Sequence, residues 1–68
     1  MADVFEGLET SQKIRGLLAS RGKNQAYLAF LLKLTPETIS ARLKANRWEL
    51  SEIREIAAAF KVDMTDLI

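Results

Sequence analysis

Apolar residues recur three and four positions apart along the chain, and no stretch alternates between apolar and polar positions as a half-buried strand would. This spacing predicts amphipathic helices and an all-α fold. Five helices are predicted, over about residues 10–21, 24–33, 35–44, 51–60 and 63–68. The residues expected to share one core are Ile14, Leu17, Leu18, Leu28, Ala29, Leu31, Leu32, Ile39, Leu43, Ile53, Ile56, Ala57 and Phe60.

Residues that favour helix ends support the first three boundaries. Gly22 is suited to follow the first helix, because glycine readily adopts the left-handed conformation that ends many helices. Asn24 is a favourable N-cap for the second helix. Thr35 followed by Pro36 predicts the start of the third, since proline at the first helical position gives up no intrahelical hydrogen bond.

The last two helices have weaker start signals. Ser51 is the predicted N-cap of the fourth helix. Asp63 is the predicted start of the fifth, with Asp66 three residues later in the second position of a capping box. The chain is therefore predicted to form a compact five-helix bundle over residues 10–68, preceded by an N-terminal arm over residues 1–9.

The second and third helices form the predicted functional unit. Both are short, and only a few residues around Lys33 and Leu34 separate them. Helices of this length are marginal alone in water, so these two must pack against each other. A short helix, a tight turn and a second short helix make up the helix-turn-helix motif, whose second helix enters the major groove of DNA. We predict such a motif from Gln25 to Lys44, with its recognition helix over residues 36–44.

The recognition helix has residues suited to reading bases. With Ile39 and Leu43 inward, a rotation of about 100° per residue places Ala41 and Glu37 furthest outward. A glutamate can accept from cytosine N4, an alanine methyl can meet the thymine methyl, a hydroxyl can bond either partner, and an arginine can bind guanine or phosphate. The base contacts predicted from this face are Glu37, Thr38, Ser40, Ala41 and Arg42.

Glu37 has two further interpretations. An acid in the first turn of a helix is favoured by the helix dipole in any protein. Near phosphates an acid is repelled unless a cytosine amine compensates it, so Glu37 could also act by excluding unfavourable sites.

Other polar residues around the motif are suited to phosphates. The free amides at a helix N-terminus bind phosphate oxygens, and Asn24 and Gln25 lie where the second helix starts. Cations after the recognition helix would fix the register on the duplex without reading its sequence. The predicted phosphate contacts are Lys23, Asn24, Gln25, Lys33, Lys44, Asn46 and Arg47. Asn24 also has the simpler role of an N-cap, and Tyr27, Phe30 and Trp48 are interpreted as packing residues.

The charge distribution matters more than the net charge of +1. Between residues 13 and 47 the chain has eight lysines and arginines and a single acid, a net charge of +7, whereas residues 1–12 and 48–68 each have a net charge of −3. This asymmetry predicts one surface that attracts a polyanion and another that does not. The alternative is that the eight cations are merely solvated.

The composition argues against several other functions. With 68 residues the chain is expected to form one domain. It has no cysteine and no histidine, so disulfides, thiolate or imidazole catalysis and the usual metal sites are not expected, and neither is an enzyme, a cofactor or a small-molecule substrate. No apolar run is long enough to span a membrane and the first residues are acidic, which predicts a cytoplasmic protein.

Several segments resemble one known family, the phage repressor and Cro type of helix-turn-helix domain, also described as lambda-repressor-like. The similarity covers about four fifths of the chain, from residue 14 to residue 68. It lies in residues 24–29 (NQAYLA), 34–40 (LTPETIS), 50–53 (LSEI) and 60–62 (FKV). Lys33 departs from the pattern because family members usually have glycine in this turn, and Arg42 departs because an inward aliphatic residue is common there.

The resemblance implies a five-helix bundle that binds operator DNA. Gln25 matches a glutamine that contacts phosphate, and Thr35, Pro36, Glu37 and Ala41 match positions at the major groove. Thr35 and Pro36 therefore join the predicted base contacts. Lys33 would have to adopt a left-handed conformation, at a cost of about 1 kcal/mol, or the turn would differ.

The hypothesis from the sequence is a sequence-specific transcriptional regulator of phage or prophage type that binds double-stranded operator DNA as a homodimer. The predicted dimer contacts are Phe5, Leu8, Leu67 and Ile68. An alternative is a helical protein-interaction module, of adaptor or antitoxin type, built on the same fold.

Overall fold

The computed structural model describes residues 9–68. These residues form the helices α1 (Thr10–Ser20), α2 (Gln25–Leu32), α3 (Pro36–Ala45) and α4 (Leu50–Phe60), followed by a 3-10 helix over Met64–Asp66. No strand occurs within residues 9–68, which confirms the predicted all-α class. Of the predicted N-terminal arm, only Glu9 belongs to the described residues, and Phe5 and Leu8 lie outside them.

The core lies where the helices meet. Helix α2 packs on both α3 and α4, and α1 packs on α3. Every residue predicted for the core is either buried or packs against the buried cluster, and Tyr27 and Trp48 also pack there. Phe30 was predicted wrongly as a packing residue, since its side chain is 82% exposed. It lies two positions from the buried Leu28, about 200° around α2, and so on the opposite face.

The fifth predicted α-helix is a single 3-10 turn. Its backbone hydrogen bonds join residues three apart, with Asp66 donating to the Asp63 carbonyl and Leu67 to the Met64 carbonyl. The Asp63 side chain makes no capping bond, and so short a segment gains too few hydrogen bonds to offset helix nucleation. Leu67, predicted at a dimer surface, is 3% exposed and belongs to the core, while Ile68 is exposed.

Two helices begin as predicted and one does not. Asn24 accepts a hydrogen bond from the Tyr27 backbone N–H, and Thr35 caps α3. Ser51 was predicted wrongly as the N-cap of α4, because that helix begins two residues earlier, after Glu49. Glu49 and Glu52 form a capping box, in which Oε1 of Glu52 accepts from the Glu49 backbone N–H at 2.8 Å.

All four α-helices end in the same left-handed motif. The residue with positive φ is Gly22, Lys33, Asn46 or Lys61. The next residue then donates its N–H to a carbonyl five residues back, at 2.8–3.2 Å, in the arrangement known as a Schellman motif. Lys33 thus adopts the left-handed conformation that the turn between α2 and α3 requires, with φ 58°. Only three residues, 33–35, separate these two helices.

Candidate functional site

Helix α3 presents a polar face to solvent. Ile39 and Leu43 are buried against the other helices, with 0% and 3% exposure, as the spacing predicted. The residues that remain exposed along the helix and at its start are Thr35, Pro36, Glu37, Ser40, Ala41, Lys44 and Ala45. Of the predicted base contacts, Thr38 and Arg42 are half-buried. The others therefore lie on the solvent side.

The start of α3 is fixed by two threonines. Thr35 Oγ1 accepts from the Thr38 backbone N–H at 3.2 Å, and the two side-chain hydroxyls are 2.9 Å apart. Pro36 occupies the first turn, where it needs no donor, and Glu37 follows it. Because the hydroxyls bond to each other, each retains a lone pair or a proton for one further partner.

An open groove of about 420 Å³ lies along this face. Its lining combines short apolar side chains with three charged ones and consists of Glu37, Thr38, Ala41, Arg42, Ala45 and Arg47. The two alanines are one helical turn apart, so their methyl groups form a continuous apolar strip. Sequence reasoning found the face but not Ala45 as part of it.

Arg42 is paired within the protein. Its Nη2 lies 3.1 Å from Oε2 of Glu52 on α4, and the two side chains are 25% and 11% exposed. Nε of Arg42 is buried and has no hydrogen-bond partner among residues 9–68. The Glu52 carboxylate has a second partner, because its Oε1 accepts from the Glu49 backbone N–H at 2.8 Å. Glu52 therefore caps α4 and binds α3 at the same time.

A second polar cluster fixes the end of α3. The backbone N–H of Ser11 donates to Oδ1 of Asn46 at 2.9 Å. Ser11 Oγ accepts from Nε1 of Trp48 at 3.0 Å and contacts the Arg42 carbonyl oxygen at 3.5 Å. Asn46, predicted to contact phosphate, thus has its side-chain oxygen engaged and only its NH₂ group available. Ser11 and Glu52 were missed by the sequence reasoning, because both lie outside the motif.

Three of the residues predicted to contact phosphate lie together at the start of α2. Asn24 accepts from the Tyr27 N–H at 3.2 Å, Gln25 is the first helical residue, and both are exposed. The Lys23 ammonium lies 4.9 Å from the centre of the Tyr27 ring, a cation–π contact. This contact holds the predicted phosphate-binding lysine next to the first turn of α2.

The other predicted cations are exposed. Lys33, Lys44 and Arg47 lie at the surface, and within the described part of the chain the Arg42–Glu52 contact is the only ion pair. Lys33 follows α2, while Lys44 and Arg47 lie at the end of α3. None of these three cations forms an ion pair with a carboxylate of residues 9–68.

In residues 9–68, no group of acidic side chains is arranged to hold a metal ion, and no helix is long and apolar enough to cross a membrane. Comparison of the chain with protein-family models, with curated proteins and with solved structures found no match.

Proposed function

We propose that residues 10–68 are a helix-turn-helix domain of repressor or Cro type that binds double-stranded operator DNA and regulates transcription, without catalytic activity. In this proposal α2 and α3 are the helix-turn-helix, and α3 is the recognition helix in the major groove. The proposal includes a cytoplasmic location, in a bacterium or a phage-infected host. The observation that carries it is the exposed polar face of α3, which is bordered by Lys33, Lys44 and Arg47, cations that form no ion pair with any residue from 9 to 68.

The exposed residues fit the chemistry of base edges. The carboxylate of Glu37 can accept from cytosine N4, and Ser40 can bond either a donor or an acceptor. The methyl of Ala41, extended by that of Ala45, can contact the thymine 5-methyl. Because Ile39 and Leu43 are packed in the core, the helix presents these groups from a fixed position, and binding requires little ordering of the backbone.

The surroundings of α3 fit contacts to phosphates. Gln25 and the free amides at the start of α2 can hold one phosphate oxygen, as helix N-termini commonly do. Lys33, Lys44 and Arg47 can neutralise others and release their counterions. Such contacts would position α3 without reading the sequence.

We also propose that the domain binds DNA as a homodimer. Two recognition helices about 34 Å apart would enter successive major grooves on one side of the duplex. Of the contacts first considered for the dimer, only Ile68 is both described and exposed. Ile68 therefore remains a candidate contact, whereas the buried Leu67 does not.

One observation favours a second candidate, the protein-interaction module. Phe30 on α2 is 82% exposed, and a large apolar side chain left in water is common where another protein binds. If this candidate is correct, Phe30→Ser abolishes capture of the partner, and binding changes little with salt, because an apolar interface releases few counterions.

The decisive experiment measures binding to duplex DNA. A random pool of double-stranded oligonucleotides is selected with the full chain, and affinity for the selected duplex is then measured by fluorescence anisotropy over a range of salt concentrations. Lys44→Ala and Arg47→Ala should each lower the affinity and reduce the slope of log K against log salt by about 0.9, the value expected for one phosphate contact.

Matched controls come from the acid-rich end of the chain. Lys61→Ala and Arg54→Ala remove the same charges from exposed positions outside α2 and α3, and should leave the slope unchanged. If no duplex is retained even in dilute buffer, or if all four variants lose the same affinity, the proposal fails. Equal losses in all four variants would mean that general electrostatic attraction accounts for the whole effect.

A further inference from the structure

The half-buried ion pair between α3 and α4 lies at one edge of the proposed base-reading face. Arg42 lines the groove along α3, where a free guanidinium would be in a position to bind guanine. Its partner, Glu52, lies on α4 and is 8% exposed, so it cannot itself reach a base. The pair therefore joins a residue of the face to a residue of the core.

The geometry of the pair limits what Arg42 can do. Bidentate binding to guanine O6 and N7 uses either the end of the guanidinium, Nη1 with Nη2, or its side, Nε with Nη2. Both edges include Nη2, which lies 3.1 Å from Oε2 of Glu52. The side edge is further blocked because Nε is buried. Glu52 therefore takes one of the two N–H groups of Nη2 and fixes the direction of the end edge, so that edge can meet a base only in the orientation that the ion pair allows.

Turning Arg42 outward would also leave the Glu52 carboxylate in an unfavourable environment. The Glu52 side chain is 11% exposed, and its other oxygen is committed to the Glu49 backbone N–H. If the guanidinium moved away, the Glu52 carboxylate would be left as an unpaired charge with little access to solvent, which is strongly unfavourable. A contact with one base contributes less free energy than breaking the ion pair costs, so Arg42 stays paired with Glu52 when DNA occupies the face.

We propose that Glu52 is a specificity-determining residue of the domain: by holding the Arg42 guanidinium, its carboxylate keeps guanine from being read at that edge of α3. The inference rests on the proposed function and goes beyond it, because it assigns a role in base selection to a residue that never touches DNA. It also removes Arg42 from the set of residues that read bases.

The test is selection from a random double-stranded oligonucleotide pool with four proteins: wild type, Glu52→Gln, Arg42→Met and the double variant. Glu52→Gln places an amide NH₂ where Oε2 accepts from Arg42, so donor faces donor and the guanidinium is released, while Oε1 can still cap α4. We expect this variant to select a guanine that the wild type does not. Replacing that guanine should lower the affinity of Glu52→Gln by about 5- to 150-fold and leave that of the wild type unchanged.

The other two variants separate base reading from stability. Arg42→Met and the double variant should select the wild-type sequence, and the double variant should also be more stable than Arg42→Met because neither charge is left unpaired. Circular dichroism checks that each variant is folded. If Glu52→Gln does not fold, Arg42→Met decides: an unchanged selected sequence supports the inference, and altered base choice overturns it.

Two other outcomes have separate meanings. A folded Glu52→Gln that selects the wild-type sequence overturns the inference and leaves the proposed function intact. A wild-type protein that selects no duplex overturns the proposed function, and the inference falls with it.

Discussion

Two lysines in the same conformation allow stability and DNA binding to be changed separately. Lys33 ends α2 with φ 58° and ψ 43°, and Lys61 ends α4 with φ 58° and ψ 45°. Both are exposed, and both lie within the same hydrogen-bonded motif. Lys33 belongs to the proposed DNA-binding surface, whereas Lys61 lies in the acid-rich end of the chain. Replacement of each by glycine is therefore a matched pair of changes.

Both substitutions should stabilise the protein. A side chain in the left-handed region costs about 1–2 kcal/mol, because its Cβ crowds the backbone carbonyl. Glycine removes this strain, but its greater freedom in the unfolded chain takes back about 0.4–1 kcal/mol. The net gain should be about 0.5–1 kcal/mol for each variant, which raises the Tm of a domain of this size by about 2–8 °C.

The effects on DNA binding should differ. Lys33→Gly removes a cation that the proposed function places near a phosphate, so affinity should fall and the salt slope should decrease by about 0.9. Lys61→Gly should change neither quantity. The first variant is thus expected to be more stable and to bind more weakly, a combination that damage to the fold cannot produce.

The assays are thermal melting followed by circular dichroism, and anisotropy titration of the selected duplex at several salt concentrations. A lower Tm for both variants would contradict the argument from left-handed strain. A higher Tm for both, with equal losses of affinity, would show that Lys33 contacts no phosphate and that only overall charge matters.

Two further predictions concern the packing that holds α3. Leu43→Ala should lower the free energy of unfolding by about 2–5 kcal/mol, because Leu43 is 3% exposed. That is a large part of the roughly 3–10 kcal/mol expected for the whole domain. Urea unfolding measures this loss, and Lys44→Ala, a substitution at the adjacent exposed position, should leave the urea midpoint unchanged. Trp48→Phe should lower the free energy of unfolding by about 0.5–1.5 kcal/mol, because it removes the donor to Ser11. The control Leu50→Ala, at a 56% exposed position, should change it by no more than about 0.5 kcal/mol. Equal effects of the two substitutions would rule out a structural role for the Trp48 hydrogen bond.

The helices could be predicted well because their determinants are local. Apolar spacing and the caps Asn24 and Thr35 act within a few residues of where they stand, and the structure uses them as expected. The left-handed conformation of Lys33 was one of two possibilities implied by the resemblance, in which glycine is usual at the matching position, and the structure adopts it. The start of α4 is also set locally, but the prediction chose the wrong signal: the capping box of Glu49 and Glu52 outweighs the ordinary N-cap Ser51.

The site was only partly predictable, for a different reason. A helical wheel shows which residues of α3 face outward, but not which of them find partners on other helices. Arg42 looked like a base-reading residue on the flank of the face, and the partner that withholds it lies on α4. Phe30 was misjudged for another reason: its spacing from Leu28 already placed it on the opposite face of α2, and among residues 9–68 no other element covers it.

The placement of α3 depends on polar contacts at its C-terminal end and on its flank. At its C-terminal end the Arg42 carbonyl and Asn46 meet Ser11 of α1, and on its flank the Arg42 guanidinium meets Glu52 of α4. Hydrogen bonds and ion pairs are directional, whereas apolar packing alone would tolerate a small rotation of the helix. A rotation would move Glu37, Ser40 and Ala41 together relative to any bound surface. Substitutions at Ser11 should therefore change what α3 selects as well as how stable the domain is, even though Ser11 is 3% exposed and remote from the face.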